Sequence, residues 1–398
     1  MKNLSEKIKQ VKPSVTLAIS AKAKQMKKEG NDVISFGAGE PDFDTPENIK
    51  QAGISAIENG ETRYTPAAGT PELKQAVINK IQESLGLKFE LNQIIINCGA
   101  KHSIYNVLQV LCNTEDNVIV PAPYWVSYPE QIKLAGAAPK IMETSDQQEF
   151  KITAKQLEQT IDKNTKALIL NSPSNPTGAV YSKEELQAIA DICVKHDLYV
   201  ISDEIYDKLM YEGTEFTSIA TLGDEILKRT IIINGVSKTY AMTGWRIGYT
   251  AANKEIIKAI SSLQSQSTSN PTSISQKASI EALSGDQNEV TRMLTEFAKR
   301  RLRMLELLNN INDVSVYPSQ GAFYLFPNIS VHYGKSYKGQ KINNSVDFSE
   351  CLLENSLVAV IPGAGFGADD YIRLSYATSM QNIEKGLGRI KNFINSLE

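Results

Sequence analysis

The run Ile231-Ile232-Ile233-Asn234-Gly235-Val236-Ser237-Lys238-Thr239-Tyr240-Ala241-Met242-Thr243-Gly244-Trp245-Arg246-Ile247-Gly248 decides how the rest of the chain is read. Its opening apolar run reads as a buried strand. Lys238 follows just past the strand end, among small residues and near a fixed cation, Arg246. A lysine placed so suits covalent chemistry on a carbonyl. A Schiff base needs a neutral amine, and a free lysine titrates near ~10.4. Burial and a neighbouring cation both disfavour the charged form. Arg246 also offers a fork of donors suited to a phosphate dianion. The competing reading of Lys238 is a solvated surface lysine beside a helix start.

Working outward, short apolar runs alternate with helical patterns. Strands are expected at Gln93–Cys98, Asn117–Pro121, Lys166–Leu170, Leu198–Ser202, Thr230–Val236 and Arg246–Ala251. A helix is expected over Ser182–Lys195, with Ser182 as its N-cap and Glu184-Glu185 in its first turn. This alternation predicts an α/β fold, with a mostly parallel central sheet covered by helices on both faces. Ligands bind such sheets at the carboxyl ends of the strands. Gly99, Asn171–Gly178, Asp203 and Lys238 all fall there. After about residue 285 the pattern changes to a long charged helix through Glu289–Asn309, then short strands at Gly321–Phe326, Val358–Ile361 and Tyr371–Tyr376, and a closing helix from Met380. That reads as a smaller α+β domain. Ile34–Phe43, rich in Gly, Pro and Asp, reads as a loop where the chain crosses between domains. The expected division is an N-terminal arm over 1–15, a small domain from 16–44 with 286–398, and a large cofactor-binding domain over 45–285.

Composition excludes several classes of function. With 398 residues, two domains are the prior expectation. Lys and Arg number 42 against 45 Asp and Glu, so no basic excess argues for nucleic acid or an anionic membrane. No run is long enough to span a bilayer, and the charged N-terminus lacks a signal-peptide core. Cys98, Cys112, Cys193 and Cys351 are scattered, and His102, His196 and His332 lie far apart, so neither a metal site nor a disulfide framework is expected. Reduced thiols without an export signal point to the cytoplasm.

Other residues suit a phosphorylated aldehyde cofactor. Asp203, at a strand end, could keep a pyridine nitrogen protonated and so make the ring an electron sink. It could equally cap the turn into Glu204-Ile205-Tyr206. Tyr206 could reach the same side of the ring. Asn175 sits in the restrained turn Asn171-Ser172-Pro173-Ser174-Asn175-Pro176-Thr177-Gly178 and could donate to a ring oxygen or simply close the turn. Gly99-Ala100-Lys101 opens a helical pattern after a strand, and amides at a helix start bind phosphate. No P-loop is present, and no G-x-G-x-x-G follows the first strand. The glycines at 363, 365 and 367 read as turn residues.

Taken together, these motifs resemble the fold-type I pyridoxal-phosphate enzymes, specifically the class I aminotransferases. The nearest resemblance is to bacterial aspartate aminotransferases of the type Ib subgroup. It spans nearly the full length, through Ile34–Pro46 with its G-x-G-E-P-D-F-D-T-P, Tyr64–Leu73, Pro121–Glu130, Asn171–Gly178, Ser202–Tyr206, Ser237–Tyr249 and Arg373–Thr378. The resemblance implies pyridoxal 5'-phosphate as cofactor, joined to Lys238, which would also act as the base in proton transfer. Asp203 would pair with the pyridine nitrogen, and Tyr206 and Asn175 would bond the ring hydroxyl oxygen. Gly99, Ala100, Lys101, Ser237 and Arg246 would form the phosphate turn. Trp125 would stack on the ring and contact substrate, although ordinary burial would also account for it. Tyr64 would reach the phosphate of a neighbouring subunit, implying a homodimer with shared sites.

Arg373 lies within an apolar strand, where an inward cation is costly unless paired. The resemblance suggests a substrate α-carboxylate as its partner, helped by the backbone of Gly39; a structural ion pair or an outward orientation is the other reading. The other large subgroup carries an Arg shortly before an S-N-P to bind the distal carboxylate. Here Ser265-Gln266-Ser267-Thr268-Ser269 precedes Asn270-Pro271 without one, and Lys101 is the expected substitute. Lys12 lies where some type Ib members carry a cation for bulkier substrates such as prephenate, and is read more readily as a solvated arm residue.

The expected activity is reversible, ping-pong transfer of the amino group of L-aspartate to 2-oxoglutarate, giving oxaloacetate and L-glutamate through pyridoxamine phosphate. Alternatives are an aromatic-amino-acid or glutamate/aspartate-prephenate aminotransferase, a pyridoxal-phosphate lyase or decarboxylase, and a transcription regulator with an aminotransferase-like domain.

Overall fold

The computed structural model describes residues 5–9, 11 and 15–398. Lys12 lies outside the described residues. In chain order, the first eight strands are β1 (Ile34–Ser35), β2 (Ile94–Asn97), β3 (Asn117–Ala122), β4 (Ala138–Glu143), β5 (Thr165–Asn171), β6 (Tyr199–Asp203), β7 (Thr230–Gly235) and β8 (Gly248–Ala251). Seven of them form one sheet in the order β2-β8-β7-β6-β5-β3-β4. Only β8 runs against its neighbours, pairing antiparallel with β2 and with β7.

The centre of this sheet is apolar on both faces, which is why its strands read as continuous runs. Alternate residues of β7 divide between two cores. Ile231 and Ile233 pack with Ile104, Leu108 and Ile257 of the helices Ala100–Leu111 and Lys254–Ser267. Ile232 packs on the other face with Leu73 and Val77 of the helix Pro71–Leu85. The edge strand β4 was not expected, and its burial pattern shows why: only one of its six residues is buried. An edge strand carrying Pro139 and Lys140 has no apolar run to read.

The helix Lys183–Lys195 begins as expected. Ser182 Oγ accepts from the Glu185 amide at 3.2 Å while Glu185 accepts from the Ser182 amide at 2.7 Å, a reciprocal capping box. The expected strand Arg246–Ala251 starts two residues late. Arg246 has φ 58°, in the left-handed region, and follows the single turn Thr243–Trp245. That kink is incompatible with extended pairing.

A second expectation also needs correction. Ile34–Phe43 is not all loop: Ile34–Ser35 pairs parallel with Val358–Ala359, and Phe36 is fully buried. The partner strand comes from the far end of the chain, so local composition could not announce it. Beside this pair, Ile361–Pro362, Ile372–Ser375 and Tyr324–Leu325 form a three-stranded antiparallel sheet. The helices Asn288–Asn309, Ser345–Ser356 and Met380–Asn395 contribute Phe297, Phe348 and Ile383 to the core over these strands. No described helix is long and apolar enough to cross a membrane.

The closing helix packs against β1 at Gly386. A Cβ there would stand 2.4 Å from Phe36 Cζ and 2.9 Å from Ile34 Cγ2. Phe36 is itself fully buried. Gly386→Val is therefore expected to cost about 1–3 kcal/mol by overpacking. The urea-unfolding midpoint should fall; an unchanged midpoint would show that the ring can move aside.

Candidate active site

A cavity of about 590 Å³ opens where β5, β6 and β7 end. It brings together Gly39, Lys101, Trp125, Asp203, Lys238 and Arg373 from six separate stretches of chain. Ala100, Asn175, Tyr206, Ser237 and Arg246 line it as well. Tyr64 does not: it is 92% exposed and stands away from this cavity.

Lys238 follows β7 by three residues, and its Nζ donates to the Gly39 carbonyl at 2.6 Å. Burial pushes its ammonium down to about 8; Arg373 and Arg246 push the same way, while Glu40 and Asp203 oppose them. Asp203 ends β6 and is 5% exposed. Burial raises its carboxyl to about 6, against hydrogen bonds from the Tyr128 hydroxyl at 2.6 Å and the Ile205 amide at 3.3 Å. The fold thus holds a weakened base and a buried acid on one cavity, the kind of displacement that marks functional sites.

A cradle for an anion lies beside them. Gly99 (φ 87°) precedes the helix Ala100–Leu111, whose first amides have no intrahelical acceptor. A Cβ on Gly99 would stand 2.4 Å from Arg246 Nη2, and one on Gly248 would stand 2.3 Å from the Ala100 nitrogen. Two glycines therefore let the guanidinium and a second strand close on the helix start. Arg246 itself donates to the Thr243 carbonyl at 2.8 Å and the Cys98 carbonyl at 3.2 Å, and forms no ion pair among the described residues.

Arg373 lies on the strand Ile372–Ser375 and is 4% exposed. Its Nη1 donates to Asn175 Oδ1 and its Nη2 to the Gly37 carbonyl, each at 3.0 Å. Its Nε is buried without a partner, and it has no ion pair among the described residues. The rings of Tyr324 and Phe366 lie 4.5 and 5.1 Å from the guanidinium carbon. They soften the burial of a charge but do not neutralise it. Lys101 Nζ sits 4.8 Å from the Trp125 ring, and desolvation together with Arg246 pushes its ammonium down.

Sequence reading passed over three further groups. Tyr128 holds Asp203 and packs edge-on against Trp125, with ring centroids 5.3 Å apart. Its spacing of one helical turn from Trp125 was the available signal. The Tyr324 hydroxyl pairs with that of Tyr206 at 3.0 Å. Glu40 lines the cavity and accepts from Thr243 Oγ1 at 2.6 Å. No group of three or more His, Cys, Asp or Glu side chains that could hold a metal occurs among the described residues. The donor set suits a molecule with an anionic head, a planar ring and a carbonyl, together with a carboxylate facing Arg373.

Comparison with known proteins agrees with this chemistry. A family model described as aminotransferase class I and II matches residues 31–390. The aspartate aminotransferase of Bacillus sp. (strain YM-2) is 50% identical over 392 residues, covering 98% of this chain and 99% of that protein. A probable aspartate/prephenate aminotransferase of Rickettsia bellii is 45% identical over 399 residues and all of both chains. The crystal structure of the aspartate aminotransferase from Rhizobium meliloti superposes with a TM-score of 0.96 at 40% identity, covering 100% of each chain.

The depressed basicity of Lys238 is directly measurable. An amine that loses its proton near about 8 is reactive at a lower pH than an ordinary lysine. Amine-selective labelling of the ligand-free protein, read by peptide mass spectrometry, should give Lys238 a midpoint near 8. Solvated lysines should rise nearer ~10.4. A Lys238 midpoint among theirs would refute the environment described.

Proposed function

The chain belongs to the class I and II aminotransferases, and we propose that within that family it is an aspartate aminotransferase using pyridoxal 5'-phosphate. It moves the amino group of L-aspartate reversibly to 2-oxoglutarate, giving oxaloacetate and L-glutamate. One observation carries this reading: a weakened amine, Lys238, shares a cavity with a buried guanidinium, Arg373, that lacks a carboxylate of its own among the described residues. An α-amino acid carries its amino group and carboxylate on one carbon, so it answers both. Lys101 adds a cation to the same cavity and favours a second, distal carboxylate.

When bound, the cofactor supplies an aldehyde for the amino group and a protonated ring that draws electron density from the α-carbon. Gly99, the first amides of the helix at Ala100 and Lys101, the Ser237 hydroxyl and the Arg246 fork hold its phosphate. Trp125 covers the ring. Asp203 keeps the proton on the ring nitrogen, and Tyr128 orients that carboxylate. Asn175 has committed its carbonyl oxygen to Arg373, which leaves its amide hydrogens for the ring hydroxyl oxygen beside Tyr206.

Arg373 and the Gly39 backbone receive the α-carboxylate. Lys238 Nζ would take up the α-proton and give it back; a positioned proton carrier contributes about 10²–10⁴-fold. The second half-reaction uses the same groups in reverse, so the kinetics are ping-pong. Tyr64 serves the phosphate of a second copy, making the working form a homodimer. Residues 45–285 act as the cofactor domain, with 16–44 and 286–398 as the small domain. Prephenate as an amino acceptor is a second reading, favoured by the name of the Rickettsia bellii relative.

The test is an absorbance spectrum of the protein with pyridoxal phosphate, followed by single additions of amino acid without any oxo acid. Aspartate and glutamate should convert the cofactor to its amine form; phenylalanine and alanine should do so far less. The reverse order would overturn the substrate assignment, and no protein-bound cofactor band would overturn the site. Lys238→Ala should abolish turnover. Lys101→Ala should raise KM for aspartate by about tenfold to a hundredfold, as expected for losing a charged hydrogen bond. Its KM for alanine should stay near the wild-type value.

A further inference from the structure

The turn after β6 carries acids on both of its faces. Asp203 and Tyr206 line the cavity, whereas Glu204 and Asp207 are buried at 2% and 8% exposure and do not. Beneath the turn lies Lys80, from the middle of the helix Pro71–Leu85, itself 9% exposed. Its Nζ is 3.0 Å from Asp207 Oδ2 and 3.1 Å from the Tyr249 hydroxyl on β8. Burial alone would lower this ammonium, but Asp207 and the Tyr249 and Tyr240 hydroxyls more than offset it, holding it above the usual lysine range. Glu204 Oε1 accepts from Ser202 Oγ at 2.8 Å and Ser218 Oγ at 2.5 Å, and burial, with Asp207 adding to it, raises its carboxyl to about 7. Asp207 Oδ1 is buried without a partner.

Lys80 occupies the helix face that also carries Leu73, Val77 and Ile81 into the core. An apolar side chain there would avoid desolvating two charges. What the pair adds is direction. The Asp207 amide donates to the Glu204 carbonyl at 2.9 Å and the Leu209 amide to the Tyr206 carbonyl at 2.8 Å, so fixing Asp207 fixes the whole turn. We propose that Lys80 is a positioning residue that, through Asp207, sets where Asp203 and Tyr206 stand in the cavity. The proposal rests on the reading of those two residues as cofactor contacts.

The test compares Lys80→Met, Asp207→Asn, the double variant Lys80→Met/Asp207→Leu, and Asp203→Asn. Four properties are read: the urea-unfolding midpoint, the pH midpoint of the bound cofactor's absorbance change, kcat, and KM for aspartate. Lys80→Met leaves a buried charge unpaired and should lower the unfolding midpoint; the double variant should recover it. The absorbance midpoint should stay displaced in the double variant, and kcat should remain about tenfold to a hundredfold low, as for a small misplacement of reacting groups. KM for aspartate should hold.

A double variant with wild-type absorbance and kcat would overturn the proposal, leaving Lys80 a structural pair only. Asp207→Asn changes little volume and decides in the same way should the other variants fail to fold. Asp203→Asn separates the two layers of the argument. An unchanged absorbance midpoint there would overturn the reading of Asp203 itself. A displaced midpoint there with normal Lys80 and Asp207 variants would overturn positioning alone.

Discussion

Arg373 is a buried cation with no anion of its own among the described residues, and much of the cavity's architecture follows from that. Stripping water from a guanidinium is costly unless its donors are answered. Two donors are answered by neutral oxygens, those of Asn175 and the Gly37 carbonyl, and two aromatic rings lie against the group. Each partner belongs to a different part of the chain. Asn175 hangs from the turn after β5, Gly37 from the segment after β1, and Phe366 from the turn before the strand that carries Arg373. The residual positive field suits the cavity to an anion, and it also helps to weaken Lys238 as a base.

The same logic separates the residues that were legible in the sequence from those that were not. Strands buried on both faces announce themselves by composition, so β2, β5, β6 and β7 were readable within a residue or two at each end. With them came the positions of Asp203 and Lys238, because strand ends are where a sheet presents side chains to a ligand. Arg373 was readable because a cation within an apolar run demands an explanation. The Ser182 cap was readable because both of its hydrogen bonds close within four residues.

What escaped was set by partners distant in sequence. β1 is a strand only because Val358–Ala359 lies beside it. Tyr128 gains its role only from Asp203, 75 residues later, whose carboxylate oxygen lies against its hydroxyl. Tyr206 and Tyr324 meet across 118 residues. Lys80 sits within an otherwise apolar helix face, and nothing local distinguishes it from a lysine at the rim of that face. Its partner is defined by the sheet, not by the helix. The kink at Arg246 was hidden for a related reason: it lies two residues before Gly248, whose close approach to the start of the helix Ala100–Leu111 is a contact distant in sequence.

The segment after β1 shows how these contacts combine. Gly37 gives its carbonyl to Arg373 and Gly39 gives its carbonyl to Lys238, so two cations of the cavity hold one three-residue stretch. The same segment is tied elsewhere by Glu40 to Thr243, by Asp42 to Arg300 at 2.7 Å, and by Thr45 to the Ala241 carbonyl at 2.7 Å. A carboxylate at Arg373 and a group at the Lys238 amine would both stand beside this one stretch. The two binding events therefore draw on the same backbone. The outer ties anchor the segment just beyond the stretch that faces the cavity.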